Sequence, residues 1–204
     1  MMLTVDQSLA SIVKPGWFVA EPVRVLARDE TMDEPLRKAA EALRSATEIE
    51  TADVTADVRT MYKRVGIDPT KTRPSSEALL RRVKRGDELP RINSLVDVIN
   101  WCSVETQLPY GLYDLDQIKG GVVLRLGRQG EEYAGIRKDA VHVGGRMTLA
   151  DDAGAFGNPT SDSARTMVTT ATTRALVVIY CPVAVSNARL EAAVALTRAR
   201  IVSR

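Results

Sequence analysis

This sequence is short of the residues that most often declare a chemistry. It holds one histidine and two cysteines in 204 residues. The cysteines, Cys102 and Cys181, stand far apart, and with His142 they make no zinc-ligand spacing. No metal is expected. Each cysteine sits in an apolar stretch and reads as a small core residue, reduced in the cytosol, with a single disulfide as the alternative. There is no GxGxxG, P-loop, HExxH, CxxC or GxSxG, so nothing generic points to a dinucleotide, a nucleoside triphosphate, a metalloprotease, a redox couple or a serine hydrolase. Aromatics are 4% of the chain, which leaves the core to Val, Leu, Ile and Ala. The net charge of +2 creates no global basic field, although local patches remain open. No apolar run approaches a membrane span, and Met1 to Gln7 lacks the features of a signal peptide. A single domain over 1–204 and a cytoplasmic location are the expectations.

What is present is ordered from helices to strands. Residues 8–28 read as extended, with a turn at Lys14-Pro15-Gly16 and strands at 17–20 and 23–26. Asp33 is placed to cap a helix that buries Leu36, Ala39, Ala40 and Leu43 and fades near Thr47. A second helix spans Val54 to Val65 and ends at Gly66. Ser75 or Ser76 would cap a third, Glu77 to Arg85, with Ala78, Leu79 and Val83 inward and Arg81, Arg82, Lys84 and Arg85 outward. Ser94 to Glu105 is a fourth, burying Leu95, Val98, Ile99 and Cys102. From Gly121 the period shortens. Strands are expected at 122–126, 133–136, 141–149 and, as a fully buried run, 175–180. Thr160 to Thr173 reads as a hydroxyl-rich loop, and Asn187 caps a C-terminal helix over 187–204. This mixed order predicts the α+β class.

Two adjoining blocks carry the most specific signal. The first is Arg91-Ile92-Asn93-Ser94-Leu95-Val96-Asp97-Val98-Ile99-Asn100. The second is Leu108-Pro109-Tyr110-Gly111-Leu112-Tyr113-Asp114-Leu115-Asp116-Gln117-Ile118-Lys119-Gly120-Gly121. An Asn before Val-Asp-x-x-Asn, then a Pro turn, then Tyr-Asp-Leu-Asp-x-x-Lys-Gly resembles the B3/B4 domain of the phenylalanyl-tRNA synthetase beta chain. Met61 to Pro69 and Ser75 to Arg82 are similar to the helical lead-in of freestanding B3/B4 proteins. The resemblance covers most of 50–182 and implies one three-layer domain of mixed sheets and helices. In the synthetase this domain edits, hydrolysing tRNA that carries the wrong amino acid. The resemblance therefore implies a trans-acting deacylase of misacylated tRNA that uses no cofactor. A module that binds tRNA or an amino acid without turnover is the alternative. The synthetase pattern is Pro-Leu-His-Ala-Phe-Asp, whereas Gly111 stands here at the His position. The expectation is that this glycine opens space in the pocket.

Ester hydrolysis needs little more than a positioned water and oxyanion donors, and the polar loop is where to look for them. Asp162 and Thr166 are the catalytic candidates: Asp162 to orient water or the substrate amine, Thr166 to donate to a carbonyl oxygen. Ser163 and Thr169 are further donors. Arg165 offers a planar fork for the terminal adenosine or its phosphate. Asn93, Tyr110 and Gly111 complete the expected substrate pocket, and Arg81, Arg82, Lys84 and Arg85 are the expected tRNA contacts. A bland reading stands beside each: loop residues that satisfy backbone, an Asn that caps its helix, and a solvated basic face. Asp97 and Asn100, three apart, are expected on one helical face, there to line the pocket or to fix neighbouring loops.

Overall fold

The computed structural model describes residues 2–46 and 48–202. In chain order the elements begin with β1 (Leu3–Val5), β2 (Val13–Ala20), α1 (Asp33–Ser45), α2 (Glu48–Arg64), α3 (Ser75–Lys84) and α4 (Ser94–Thr106). Strands follow: β3 (Tyr110–Asp114), β4 (Val122–Leu126), β5 (Glu132–Gly135), β6 (Lys138–His142), β7 (Met147–Asp151), β8 (Gly154–Asn158) and β9 (Ser161–Asp162). The last elements are β10 (Ala175–Pro182) and α5 (Asn187–Val202).

The centre is β10, whose eight residues are all buried. An apolar run covered on both faces is what makes this strand legible. It pairs antiparallel with β2 on one side and β3 on the other. A second sheet runs β1-β4-β7-β8-β9, with only the β1–β4 pair parallel, and β5-β6 is a separate hairpin. Strand β3 shows the layering, because its side chains alternate faces. Tyr110 points toward the helices, its hydroxyl 3.1 Å from Thr197 of α5. Tyr113 points toward the five-stranded sheet, edge-on to Phe156 of β8 at 5.0 Å between ring centroids. Helices, small sheet and large sheet thus stack in three layers, which is the α+β class expected.

Several local expectations need correction. Lys14-Pro15-Gly16 makes no turn; it lies inside β2. That strand is at a sheet edge, where a proline is tolerated. Residues 23–26 form no strand. The helix expected from Val54 begins at Glu48, before its apolar stripe of Val54, Val58, Met61, Tyr62 and Val65 starts. It closes at Gly66, whose φ is +76°. Asp33 is the first residue of α1, which has no side-chain cap; Asp29 caps the preceding 3-10 turn, Glu30–Met32, accepting from the Thr31 N–H. Ser75 and Ser76 lie inside α3, and its buried face is Ser76, Glu77, Leu80 and Val83, with Ala78 exposed. The run 141–149 divides into β6 and β7. Asn187 is the first residue of α5 and takes a bond from Lys14, while Ser186 Oγ accepts from the Arg189 N–H. Residues 203 and 204 lie outside the described residues.

Candidate active site

A cleft of about 360 Å³ opens where α4 meets the loop after β8. Helix α4 supplies Val96, Ile99, Asn100 and Ser103, preceded by Ile92 and Asn93. Strand β3 supplies Tyr110 and Leu112, α3 supplies Ser75 and Leu79, and the β5–β6 turn supplies Ile136 and Arg137. Asn158 to Asp162, with Met167 and Val168, close the far wall.

The loop is held by its own chemistry. Asn158 Oδ1 accepts from the backbone N–H groups of Thr160 and Ser161 and from the Thr160 hydroxyl. This turn presents Asp162 to the cleft. From behind, the carbonyl of Pro159 accepts from the buried Tyr62 hydroxyl at 2.9 Å and from Ser75 Oγ at 3.4 Å. The loop is therefore tied to α2 and to the start of α3.

Asp162 is the carboxyl of this cleft, and among the described residues no ion pair neutralises it. Its Oδ1 is enclosed and has no hydrogen-bond partner among the described residues. Burial pushes its carboxyl up to about 7, against a smaller lowering by the Tyr113 hydroxyl. Three tyrosines crowd it. Tyr113 and Tyr180 share a 2.8 Å bond between hydroxyls, and Tyr133 donates to the Ser161 carbonyl at 2.5 Å. Burial first, and the nearby Asp162 second, raise all three phenols, so they stay neutral.

Of the residues singled out in the sequence, Asn93, Tyr110 and Asp162 line this cleft together. Asn93 also caps α4, its Oδ1 accepting from the Val96 N–H at 2.9 Å. Asp97 and Asn100 part company: Asn100 lines the cleft, while the buried Asp97 turns back to Arg91 Nε and the Ile92 N–H, each at 2.7 Å. The rest of the polar loop faces elsewhere. Arg165 forms a two-pronged pair with Asp151 at 2.9 Å and bonds the Gln117 carbonyl. With Ser163 it borders a separate recess beside Glu131 and Ala155. Ser163 Oγ accepts from the Arg165 N–H, and Thr169 Oγ1 from the Ala171 N–H. Thr166 is fully buried, and its Oγ1 has no partner among the described residues. In the basic cluster, Arg81 reaches Glu77, Arg82 the Glu88 carbonyl, Lys84 the Ala46 carbonyl and Arg85 Asp87.

Gly111 does not open space. It lies on the face of β3 turned away from the cleft, and a Cβ built there would stand 2.7 Å from ring carbons of Tyr113. A Cβ on Gly157 of β8 would come closer still, 2.5 Å from a ring carbon of Tyr113. The Tyr113 ring fills the gap between the two glycines. Arg137 went unnoticed in the sequence. It stands exposed at the cleft mouth in the left-handed region, φ +58°. Its position beside Gly135 in a short hairpin is the only sequence signal that would have flagged it. Among the described residues no group of three or more His, Cys, Asp or Glu side chains is placed to hold a metal.

A family model described as the B3/4 domain matches residues 57–197. The phenylalanine–tRNA ligase beta subunit of Bartonella henselae is 34% identical over 64 residues, 31% of this chain and 8% of that protein. That of Leifsonia xyli subsp. xyli is 32% identical over 96 residues, 46% of this chain and 11% of that protein. The matched stretches are thus about a tenth of these relatives' length. In three dimensions the fold is similar to an N-terminal fragment of the phenylalanyl-tRNA synthetase beta subunit from Pyrococcus horikoshii, with a TM-score of 0.51 and 14% identity. That match takes in 99% of this chain and 48% of the fragment.

Proposed function

The chain belongs to the B3/4 domain family, and from that premise we propose that its cleft hydrolyses the ester between a wrongly attached amino acid and the terminal ribose of a tRNA. The protein acts in trans in this reading, in the cytoplasm, and needs no cofactor. The observation that carries it is Asp162: an enclosed carboxyl at the cleft wall, with one oxygen unpartnered and its proton held to about pH 7.

A general base works best when its pKa lies near the working pH. Asp162 meets that condition. Ionised, it takes a proton from a water, the water oxygen attacks the ester carbonyl, and the ribose oxygen leaves with a proton. An ester is already activated, so no nucleophilic triad is required. The Asn100 amide, on the α4 wall, donates to the developing oxyanion. Arg137 at the mouth suits the terminal phosphate. The apolar rim, Ile92 and Met167, is 49% and 38% exposed, which leaves it free to cover a base or an amino-acid side chain.

The test is single-turnover hydrolysis of a panel of misacylated tRNAs by wild type and by Asp162→Asn. The expected result is rapid loss of one or two esters, with a rate that climbs with pH and levels off above about 7, and its disappearance in the variant. Hydrolysis at the uncatalysed rate for every ester would overturn the reading and leave a binding module.

A further inference from the structure

Glu77, in the first turn of α3, has a side chain only 6% exposed, yet three guanidiniums converge on it. Arg59 of α2 reaches both its oxygens through Nη1, at 2.9 and 2.8 Å. Arg81 reaches it through Nε at 3.0 Å, and Arg73 through Nε at 3.5 Å. A single arginine would satisfy this carboxylate. Three leave a surplus of two positive charges on one small patch, and like charges so gathered repel unless an anion arrives from outside. The surplus is turned outward: Arg59, Arg73 and Arg81 are 31%, 43% and 58% exposed. The Nη groups of Arg73 and Arg81 make no bond among the described residues. A fixed planar fork with free N–H groups matches the oxygens of a phosphodiester.

The patch also lies in the right place. Ser75 and Leu79 line the cleft from the opposite face of the same turns of α3, and Glu77 lies close enough to the Tyr62 phenol to add to the rise that burial causes there. Tyr62 follows Arg59 by one turn of α2, and both Tyr62 and Ser75 bond the Pro159 carbonyl on the cleft wall. By contrast, Arg82, Lys84 and Arg85 sit toward the other end of α3 and bond the Glu88 and Ala46 carbonyls and Asp87.

We propose that Arg59, Arg73 and Arg81, gathered by Glu77, hold the phosphodiester backbone of a tRNA acceptor arm while its 3′ end enters the cleft. The polynucleotide part of this inference rests on the hydrolase reading above. Its test is separable, because binding of uncharged tRNA involves no ester. Affinity is measured from about 50 to 200 mM salt, where each lost phosphate contact lowers the slope of log K against log salt by about 0.7–0.9. The variant Arg73→Gln/Arg81→Gln is expected to lower that slope by about 1.5. The variant Arg82→Gln/Arg85→Gln removes the same charge farther along the helix and is expected to leave the slope unchanged. Circular dichroism is the check that both variants fold. An unchanged slope in the first variant, or equal falls in both, would overturn the proposal. A specific fall in a protein that hydrolyses no ester would keep the interface and sink the hydrolase. Normal hydrolysis with an unchanged slope would do the reverse.

Discussion

Replacing Asp162 with asparagine separates chemistry from stability in one experiment. The substitution keeps shape and removes the only proton at issue. In the native protein the carboxyl holds its proton to about pH 7, whereas in the unfolded chain it is an ordinary carboxyl that gives up its proton near pH 3.8. Between those values the folded state binds more protons than the unfolded chain, so stability from this group is greatest in acid and falls as pH rises. Each pH unit in the window is worth about 1.4 kcal/mol. From pH 5 to pH 8.5 only the two units below 7 count, giving at most about 3 kcal/mol. For a chain of this length that is at most about 6–12 °C in melting temperature. Asp162→Asn has no such term. Thermal melts of both proteins at the two pH values are therefore expected to show the variant gaining on wild type by that amount, while ester hydrolysis is lost. A gap independent of pH would refute the burial argument. Retained hydrolysis would refute the base.

Other predictions test neighbouring parts of the same reasoning. Arg165→Ala strands the buried Asp151 carboxylate, which Arg165 holds below its usual range against burial. Urea denaturation should show a loss of about 3 kcal/mol, so any fall in activity must be measured on the folded fraction. Gly111→Ala drives a Cβ into the Tyr113 ring and is expected to cost about 1–3 kcal/mol in the same assay. Thr166→Val replaces an unpartnered buried hydroxyl with a methyl, and melting should find the variant as stable as wild type or more so. Asn93→Ala removes the cap of α4 and is expected to cost about 1 kcal/mol.

The sequence made some of this legible. Strand β10 announced itself as an uninterrupted apolar run, and α4 by Leu95, Val98, Ile99 and Cys102, all buried as expected. The α+β class followed from that order of elements. What stayed hidden was set by distant partners. Pro15 and Gly16 carry a turn's local chemistry, but β10 supplies the ladder that straightens them. The burial of Glu77 had no local signal, because arginines far and near in sequence are what permit it. In the polar loop, composition showed that hydroxyls and a carboxylate were present but not which way each faced. Arg165 and Ser163 turn to a separate recess, and Asp162, by the two-residue β9, turns to the cleft. Asn158, whose bonds decide that geometry, carried no signal beyond preceding a proline.

The Tyr113 ring between Gly111 and Gly157 recasts the departure from the synthetase pattern. That pattern sets an imidazole at the first of these positions and a plain phenyl ring two residues on, where this chain has a hydrogen atom and a phenol. Both positions project to the same face of β3, so the polar group of that face stands at the first position in the pattern and at the second in this chain. The hydroxyl now arrives beside Asp162 and Tyr180. Positions 111, 113 and 157 are consequently coupled in packing: a side chain at either glycine has to compete with the Tyr113 ring for the same space. A comparison of position 111 alone would therefore miss the phenol that fills its space.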